Sequence, residues 1–249
     1  MPPDDSKQLL SRALNSWKSW QLPFDRQPQV ISRLTGGTTN STYLVGDGQN
    51  TVVLRINSRF SDLLGIDRQT EKDVLEKVSK AGFAPQVFFN NLQWLVTEYV
   101  PEKPSLQGNA FLEAYTQLIN SVHQLSFQGS TFDYVTHCER YWRFLVDQQV
   151  TIPEQLCLVR NNILLRLEQL QGLQTSRVLC HHDAGTHNLL QVNNRLLLID
   201  WEYAGLGIRD IDLASGGILC SDRADLIEVC QYINQLWYLV YHRLTSKPG

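Results

Sequence analysis

A change of hydrophobic period at Pro101-Glu-Lys-Pro104 constrains this chain more than any other feature. Before it, apolar residues come in short runs broken by Gly, Pro and Asn; after it, they recur at helical spacing. Five runs read as strands: Val30–Leu34, Ser41–Val45, Thr51–Ile56, Gln86–Phe89 and Trp94–Val100. Two stretches among them read as helix. In residues 6–20, Leu9, Leu10, Ala13, Leu14 and Trp17 share one face, with Asp5 or Ser6 as cap and Pro23 beyond the end. In residues 67–80, Val74, Leu75 and Val78 are spaced helically and Gly82 closes the element. Beyond Pro104, Phe111, Tyr115, Leu118, Val122 and Leu125 make an apolar helical stripe. Further helices are expected at 138–148, 155–170 and 222–244, with strand-like runs at 177–200. The fold class is therefore α+β. Residues 1–100 form an antiparallel sheet lobe, residues 101–249 form a mainly helical lobe, and a ligand cleft is expected between them.

Composition narrows the partners. Lys plus Arg is 22 and Asp plus Glu is 25, a net charge of −3, which argues against a nucleic-acid binder. No apolar run approaches the ~18 residues that span a membrane. The N-terminal MPPDDSKQ is acidic and polar, so no secretory signal is expected. The five Cys include no CxxC pair, which disfavours a disulfide framework or zinc ribbon. A cytoplasmic protein is the expectation.

The chemistry concentrates in residues 178–205, VLCHHDAGTHNLLQVNNRLLLIDWEYAG. Two apolar runs flank Asn193-Asn194, a good two-residue hairpin turn because Asn tolerates positive φ. Counting back pairs Val192 with Arg195, Leu190 with Leu197 and Asn188 with Ile199. Asp200 then lies one residue out of register with Asn188, so the strand must twist or break there for the two to converge. Given that break, Asn188 and Asp200 offer hard oxygen ligands that suit Mg²⁺. Asp183, five residues before Asn188, is placed to orient a hydroxyl and take up its proton. The plain alternative, three unrelated surface polar residues, stays open at this point. His181 and His182 are adjacent and point apart, so they do not readily share one metal ion; His181 instead suits holding the loop by hydrogen bonds. His123, beside an apolar stripe, reads as structural.

His181-His-Asp183-Ala-Gly-Thr-His-Asn188 and Ile199-Asp200-Trp201-Glu202-Tyr-Ala-Gly205 resemble the HxDxxxxN and DxE signatures of the aminoglycoside phosphotransferase and choline kinase family. The second segment is especially like bacterial choline kinases and thiamine kinase. The resemblance extends along the chain through Leu34-Thr-Gly-Gly37-Thr-Thr-Asn40, Val53-Leu-Arg55-Ile, Asp67-Arg68-Gln-Thr-Glu71, Val96-Thr-Glu98-Tyr-Val100 and Asp210-Ile-Asp212-Leu-Ala. It implies a protein-kinase-like bilobal fold and transfer of a phosphoryl group from Mg-ATP to an alcohol. Gly36, Gly37, Thr38 and Asn40 correspond to the phosphate loop, Arg55 to the phosphate-binding base and Glu71 to its ion-pair partner. Glu98 and Val100 correspond to the hinge that contacts adenine through backbone, Asn188 and Asp200 to the Mg²⁺ ligands, and Asp183 to the residue that orients the acceptor hydroxyl. The resemblance points to thiamine or choline as acceptor, with thiamine slightly ahead because the chain is short. Both are cationic alcohols, which Trp201, Trp237, Tyr238 and Tyr241 would face with aromatic rings and Glu202 with negative charge. An aminoglycoside or other alcohol as acceptor, and a nucleotide-binding scaffold without turnover, are the alternatives. A His-Asp metal phosphohydrolase would need further helical His or Asp ligands that this chain does not place.

Overall fold

A computed structural model describes residues 4–35, 39–173, 177–218 and 223–246. The first half is built on five strands, β1 (Gln29–Leu34), β2 (Ser41–Gly46), β3 (Thr51–Ile56), β4 (Val87–Asn90) and β5 (Trp94–Glu98). They form one antiparallel sheet in the order β1-β2-β3-β5-β4. Alternation along β3 buries Val52, Leu54 and Ile56 against Ala13 of α1 (Asp4–Asn15), Trp20 and Phe24. The helix expected over 6–20 stops at Asn15, and a single 3₁₀ turn, Trp17–Ser19, follows. Ser16 accounts for the break: its hydroxyl donates to Ala13 O at 2.8 Å and competes with the helical backbone.

After β3 come the one-turn helix α2 (Ser61–Leu64), which the sequence reading missed, and α3 (Arg68–Lys80). Asp67 caps α3 by accepting from Gln69 N and Thr70 N, and Gly82 ends it at φ +77°. Strand β5 ends at Glu98 rather than Val100, just ahead of Pro101, which has no N–H for a ladder. The expected linker contains a two-residue strand, β6 (Lys103–Pro104).

The second half contains helices α4 (Gly108–His123), α5 (Tyr134–Asp147), α6 (Glu154–Leu173), α7 (Arg209–Ser215) and α8 (Ala224–Thr245). Its strands are β7 (Val178–Cys180), β8 (Leu189–Asn193), β9 (Arg195–Leu198) and β10 (Gly205–Gly207). Strand β6 joins the β8–β9 hairpin in parallel, and β10 pairs antiparallel with β7. Helices α5, α6 and α8 enclose a core of Tyr141, Leu145, Ile163, Leu167, Leu236 and Val240. Another apolar cluster joins the two halves: Val74, Leu75 and Leu95 from the first pack with Tyr115, Ile119, Leu198 and Trp201 from the second. No helix among the described residues is long and apolar enough to cross a membrane. Cys138, Cys157, Cys180 and Cys230 are free thiols; Cys220 lies outside the described residues.

Candidate active site

The hairpin has the register that the sequence pattern predicts, with Val192 opposite Arg195, Leu190 opposite Leu197, and Asn193 in the turn at φ +52°. Ile199 N donates to Asn188 O at 2.9 Å, but β9 has already ended at Leu198. Asp200 then takes a left-handed conformation, φ +62°. That is the break in the strand that convergence of Asn188 and Asp200 requires.

The loop before β8 is fixed from inside the helical half. Asp212, fully buried on α7, accepts His182 N through Oδ1 at 2.7 Å. Its Oδ2 accepts His181 N at 3.2 Å and pairs with His123 Nε2 at 2.8 Å. Burial opposes ionisation of Asp212, yet the bond to His123 and the nearby imidazoles hold its carboxyl below the usual range. His181 is buried, which lowers its pKa and keeps the ring neutral; Nδ1 accepts from Asp183 N at 3.3 Å and Nε2 donates to Ile199 O at 2.9 Å. His123 and His181 are thus structural. Tyr115 donates its hydroxyl to Ala184 O on the same loop. Asp183 itself projects at the cleft with its side chain 42% exposed. Its carbonyl and its Oδ2 both accept from Asn188 Nδ2 at 2.9 Å. His187 Nε2 lies 3.5 Å from Asp183 Oδ1, and that hydrogen bond raises its pKa.

The other side of the site is a buried ionic chain. Arg55, odd-numbered on β3, faces away from the α1 core, as its alternation with Val52, Leu54 and Ile56 predicts. Its Nη2 donates to Glu71 Oε1 at 2.6 Å, its Nη1 reaches Asp200 Oδ1 at 3.3 Å, and its Nε is held by Asn57 Oδ1 at 3.1 Å. Burial works against charge on Arg55, but Glu71, Asp200 and Glu202 outweigh it and keep the guanidinium charged. Glu71 is buried as well, and Arg55 and Arg68 overcome that to hold its carboxyl low. Asp200 behaves in the opposite way: burial at the cleft floor and the Glu202 charge push its pKa up to about 8, with Arg55 opposing.

This donor set suits a hard divalent cation. Asn188 is oriented by two acceptors on its amide side, and among the described residues nothing donates to its Oδ1 or to Asp200 Oδ2. Both residues line one cavity of ≈ 360 Å³ with Asp183, Thr39 and Trp237. A carboxylate oxygen and an amide oxygen without a donor, lining one cavity, are hard ligands of the kind that would hold Mg²⁺.

Three expected site residues need correction or qualification. Trp201 does not face the cavity; it is 1% exposed, its Nε1 donates to Leu198 O at 3.0 Å, and it packs in the shared apolar cluster. It stands between two cavity residues, but past the left-handed backbone at Asp200 its indole points into the core. Glu202 touches the cavity but is 4% exposed and already engaged: Thr39 Oγ1 donates to it at 3.2 Å, Asn40 Nδ2 at 2.7 Å, and Arg68 lies at 3.2 Å. It is therefore not a free negative partner for an acceptor. Asn40 is likewise committed, with Oδ1 accepting Ser58 N and Arg68 Nη2. Trp237 does line the cavity, donating to the Tyr203 hydroxyl at 3.0 Å and stacking on Tyr241 at 5.1 Å. Tyr238 also lines it. Glu98 is the last residue of β5, an interior strand, and donates its N–H to Gln86 O at 2.8 Å, while Val100 lies beyond the strand. Gly36, Gly37 and Thr38 lie outside the described residues. Sequence reasoning gave no role to Arg68, although a cation at the positive start of a helix is a signal that it has partners elsewhere.

A five-stranded antiparallel sheet set over a mainly helical half, with an Asp-bearing loop and hairpin at their junction, defines a protein-kinase-like fold. The chain belongs to the phosphotransferase enzyme family, whose sequence profile matches residues 30–235. It is similar in structure to the choline kinase LicA of Streptococcus pneumoniae, with 18% identity and a TM-score of 0.74 over 98% of this chain and 93% of that one. A choline/ethanolamine kinase family protein of Mesorhizobium loti has 18% identity and a TM-score of 0.68, over 93% of this chain and 84% of that one. By sequence, the chain is 21% identical over 184 residues to the LicA homolog of Mycoplasma capricolum, covering 73% of this chain and 70% of the relative.

Proposed function

We propose that this protein transfers the γ-phosphoryl group of Mg-ATP to the hydroxyl of a small cationic alcohol, with choline or ethanolamine as the leading acceptors. The observation that carries this reading is the convergence of Asp183, Asn188 and Asp200 on one cavity, with the Arg55–Glu71 pair 3.3 Å from Asp200. In phosphoryl transfer the protein mostly positions groups and stabilises charge. Asn188 and Asp200 would hold Mg²⁺, which when bound neutralises charge on the phosphates. Arg55, aimed by Glu71 and Asn57, is placed to bind phosphate oxygens. Asp183 orients the acceptor hydroxyl and takes up its proton, and the Asn188 amide fixes the carboxylate's direction.

The cavity itself supports a cationic acceptor. Among the described residues lining it there is no Lys or Arg, and Asp183 is the carboxylate left for an acceptor, since Asp200 is assigned to Mg²⁺ and Glu202 is engaged by Asn40 and Arg68. Phe132, Tyr203, Trp237 and Tyr238 supply aromatic faces. Of its lining imidazoles, His137 and His182 are neutral, because burial pushes their pKa down to about 3 and about 4, whereas that of His187 is raised by Asp183 beside it. A volume of ≈ 360 Å³ is near the lower end of ligand sites, ~300–1,000 Å³, and favours a small alcohol over an aminoglycoside. The structural neighbours support choline or ethanolamine; thiamine rests on the sequence resemblance. Acceptor-dependent ADP release in Mg²⁺, with choline, ethanolamine, thiamine and kanamycin in parallel, tests the reading. The expected order places choline or ethanolamine at least about tenfold ahead of kanamycin in kcat/KM, a difference of ~1.4 kcal/mol. Tight Mg-ATP binding with no ADP release for any acceptor would support a scaffold instead.

A further inference from the structure

We infer that Arg68 is a positioning residue that locks the end of the phosphate loop and the Arg55–Glu71 pair onto the metal-binding segment. The inference rests on the phosphotransferase reading above and assigns a role to a residue that touches neither cleft wall. Arg68 is the first residue of α3, with its side chain only 7% exposed. A buried cation at the positive end of a helix is unfavourable unless other charges hold it. Here the holding groups come from four directions. Nε donates to Ser61 Oγ at 3.0 Å, Nη1 to Glu71 Oε2 at 2.7 Å, and Nη2 to Asn40 Oδ1 at 3.0 Å. Nη1 also lies 3.2 Å from Glu202 Oε2.

Each partner belongs to a different part of the site. Asn40 ends the phosphate loop and immediately precedes β2; Glu71 is the residue that aims Arg55; Glu202 stands two residues after Asp200. Asn40 Nδ2 closes the ring by donating to Glu202 Oε2 at 2.7 Å. The triangle Arg68–Asn40–Glu202 therefore ties the sheet half to the segment that carries Asp200. Arg68 also occupies the second oxygen of Glu71, which leaves Oε1 for Arg55 alone. Without Arg68, Glu71 and Glu202 would both compete for Arg55, and Arg55 would be drawn away from Asp200. The fork geometry is essential, because one ammonium cannot reach Ser61, Glu71, Asn40 and Glu202 together.

Arg68→Lys keeps the charge and removes the fork. Two readouts are taken on the folded variant. Hydrogen exchange, with no nucleotide needed, should quicken about tenfold or more in residues 39–42 and 199–203 together, and stay unchanged in the core of α8. Steady-state kinetics with the best acceptor should show the KM for Mg-ATP raised about tenfold with the acceptor KM within twofold of wild type. Asn40→Ser, which cuts the same triangle while sparing every buried charge, should reproduce both effects in weaker form and serves if Arg68→Lys does not fold. Unchanged exchange at 199–203 in the folded variant would overturn the inference, as would equal rises in both KM values. Loss of ATP turnover in the wild type would fail the functional reading alone, and the exchange measurement would still decide the role of Arg68.

Discussion

The two segments that carry the candidate chemistry are held in opposite ways. The loop 181–188 is fixed by groups from its own half: Asp212 takes its backbone N–H groups, His123 backs Asp212, and Tyr115 holds Ala184. Segment 199–203 has its backbone held from its own half, by Asn188, His181 and His182, but its carboxylates, Asp200 and Glu202, are engaged by side chains from the other half, Arg55, Arg68 and Asn40. The first arrangement keeps its geometry whatever the two halves do relative to each other. In the second, the contacts to the two carboxylates exist only when the halves meet. The loop that carries Asp183, the residue proposed to handle the acceptor, is thus preset, while the carboxylate of Asp200, the proposed metal ligand, has its cationic partner only through assembly across the cleft.

Four experiments probe that contrast, beginning with the largest expected effect. Asp200→Asn keeps a residue that accepts a left-handed backbone and removes the anionic ligand. ADP release should fall about 10³-fold or more, the scale of losing a principal electrostatic stabiliser, with the circular dichroism spectrum unchanged. Turnover near wild type in Mg²⁺ would remove Asp200 from the metal site. Asp183→Asn should lower kcat by ~10²–10⁴-fold, the usual contribution of a general base, with Mg-ATP affinity within about threefold of wild type by titration. Lost nucleotide binding would move Asp183 into the metal site.

Arg55 offers a graded test of the segment held across the cleft. Arg55→Ala leaves Glu71 and Asp200 without a shared cation and should cost ~3–5 kcal/mol of stability, as breaking a buried ion pair does, along with most of kcat/KM. Arg55→Lys should fold and raise the Mg-ATP KM about tenfold. Small, equal effects from the two changes would show that Arg55 does not bind phosphate.

The smallest effects are those of pH on stability, and the buried imidazoles and Asp200 should pull in opposite directions. His137 and His182 are held neutral, with pKa values of about 3 and about 4 against an ordinary 6.5. Below pH 6.5 the unfolded chain takes up protons that the folded one refuses, so stability falls as pH drops, by at most ~1.4 kcal/mol per pH unit per His. Asp200, raised to about 8, keeps its proton where the unfolded chain has lost it, so stability falls as pH rises from 3.8 toward 8. Its slope is that of one proton, as for one His, and the 32% exposure of the side chain to the cleft narrows the pH window by moderating the shift. Thermal melting without metal should therefore peak near pH 6.5. Mg²⁺ should lift the alkaline side only, and His182→Gln should flatten the acid side only. A melting curve whose alkaline side ignores Mg²⁺ would count against Asp200 as a ligand.

The difference in how the segments are held also explains what the sequence disclosed. The β8–β9 register, the need for a break before Asp200 and the direction of Arg55 follow from period-two counting over a few residues, and all three could be read directly. The capped start of α3 was equally local. Trp201 was misplaced because it was assigned to the acceptor for its aromatic ring, and the turn at the positive φ of Asp200, beyond which the indole enters the core, leaves no mark in the residue pattern. Glu202 was given to the acceptor because its partners, Asn40 and Arg68, are 162 and 134 residues away, and no spacing rule reports on such distances. Helix α7 and strand β10 are short, and their positions are set by β7 and α8 rather than by their own pattern.

The left-handed backbone at Asp200 sets apart two kinds of mutational tolerance at a single codon. Gly and Asn enter that conformation at little cost, whereas Val, Ile and Thr are strained there by ~1–2 kcal/mol or more. Charge at the position depends on a different property, which only Asp, and by reach Glu, supplies. A saturation library scored once for soluble yield and once for turnover should therefore rank the substitutions differently. Gly and Asn would lead the first ranking and fall to the bottom of the second. Glu would sit low for yield yet retain measurable turnover, and selection for expression alone would drive the position toward inactive proteins that accumulate well.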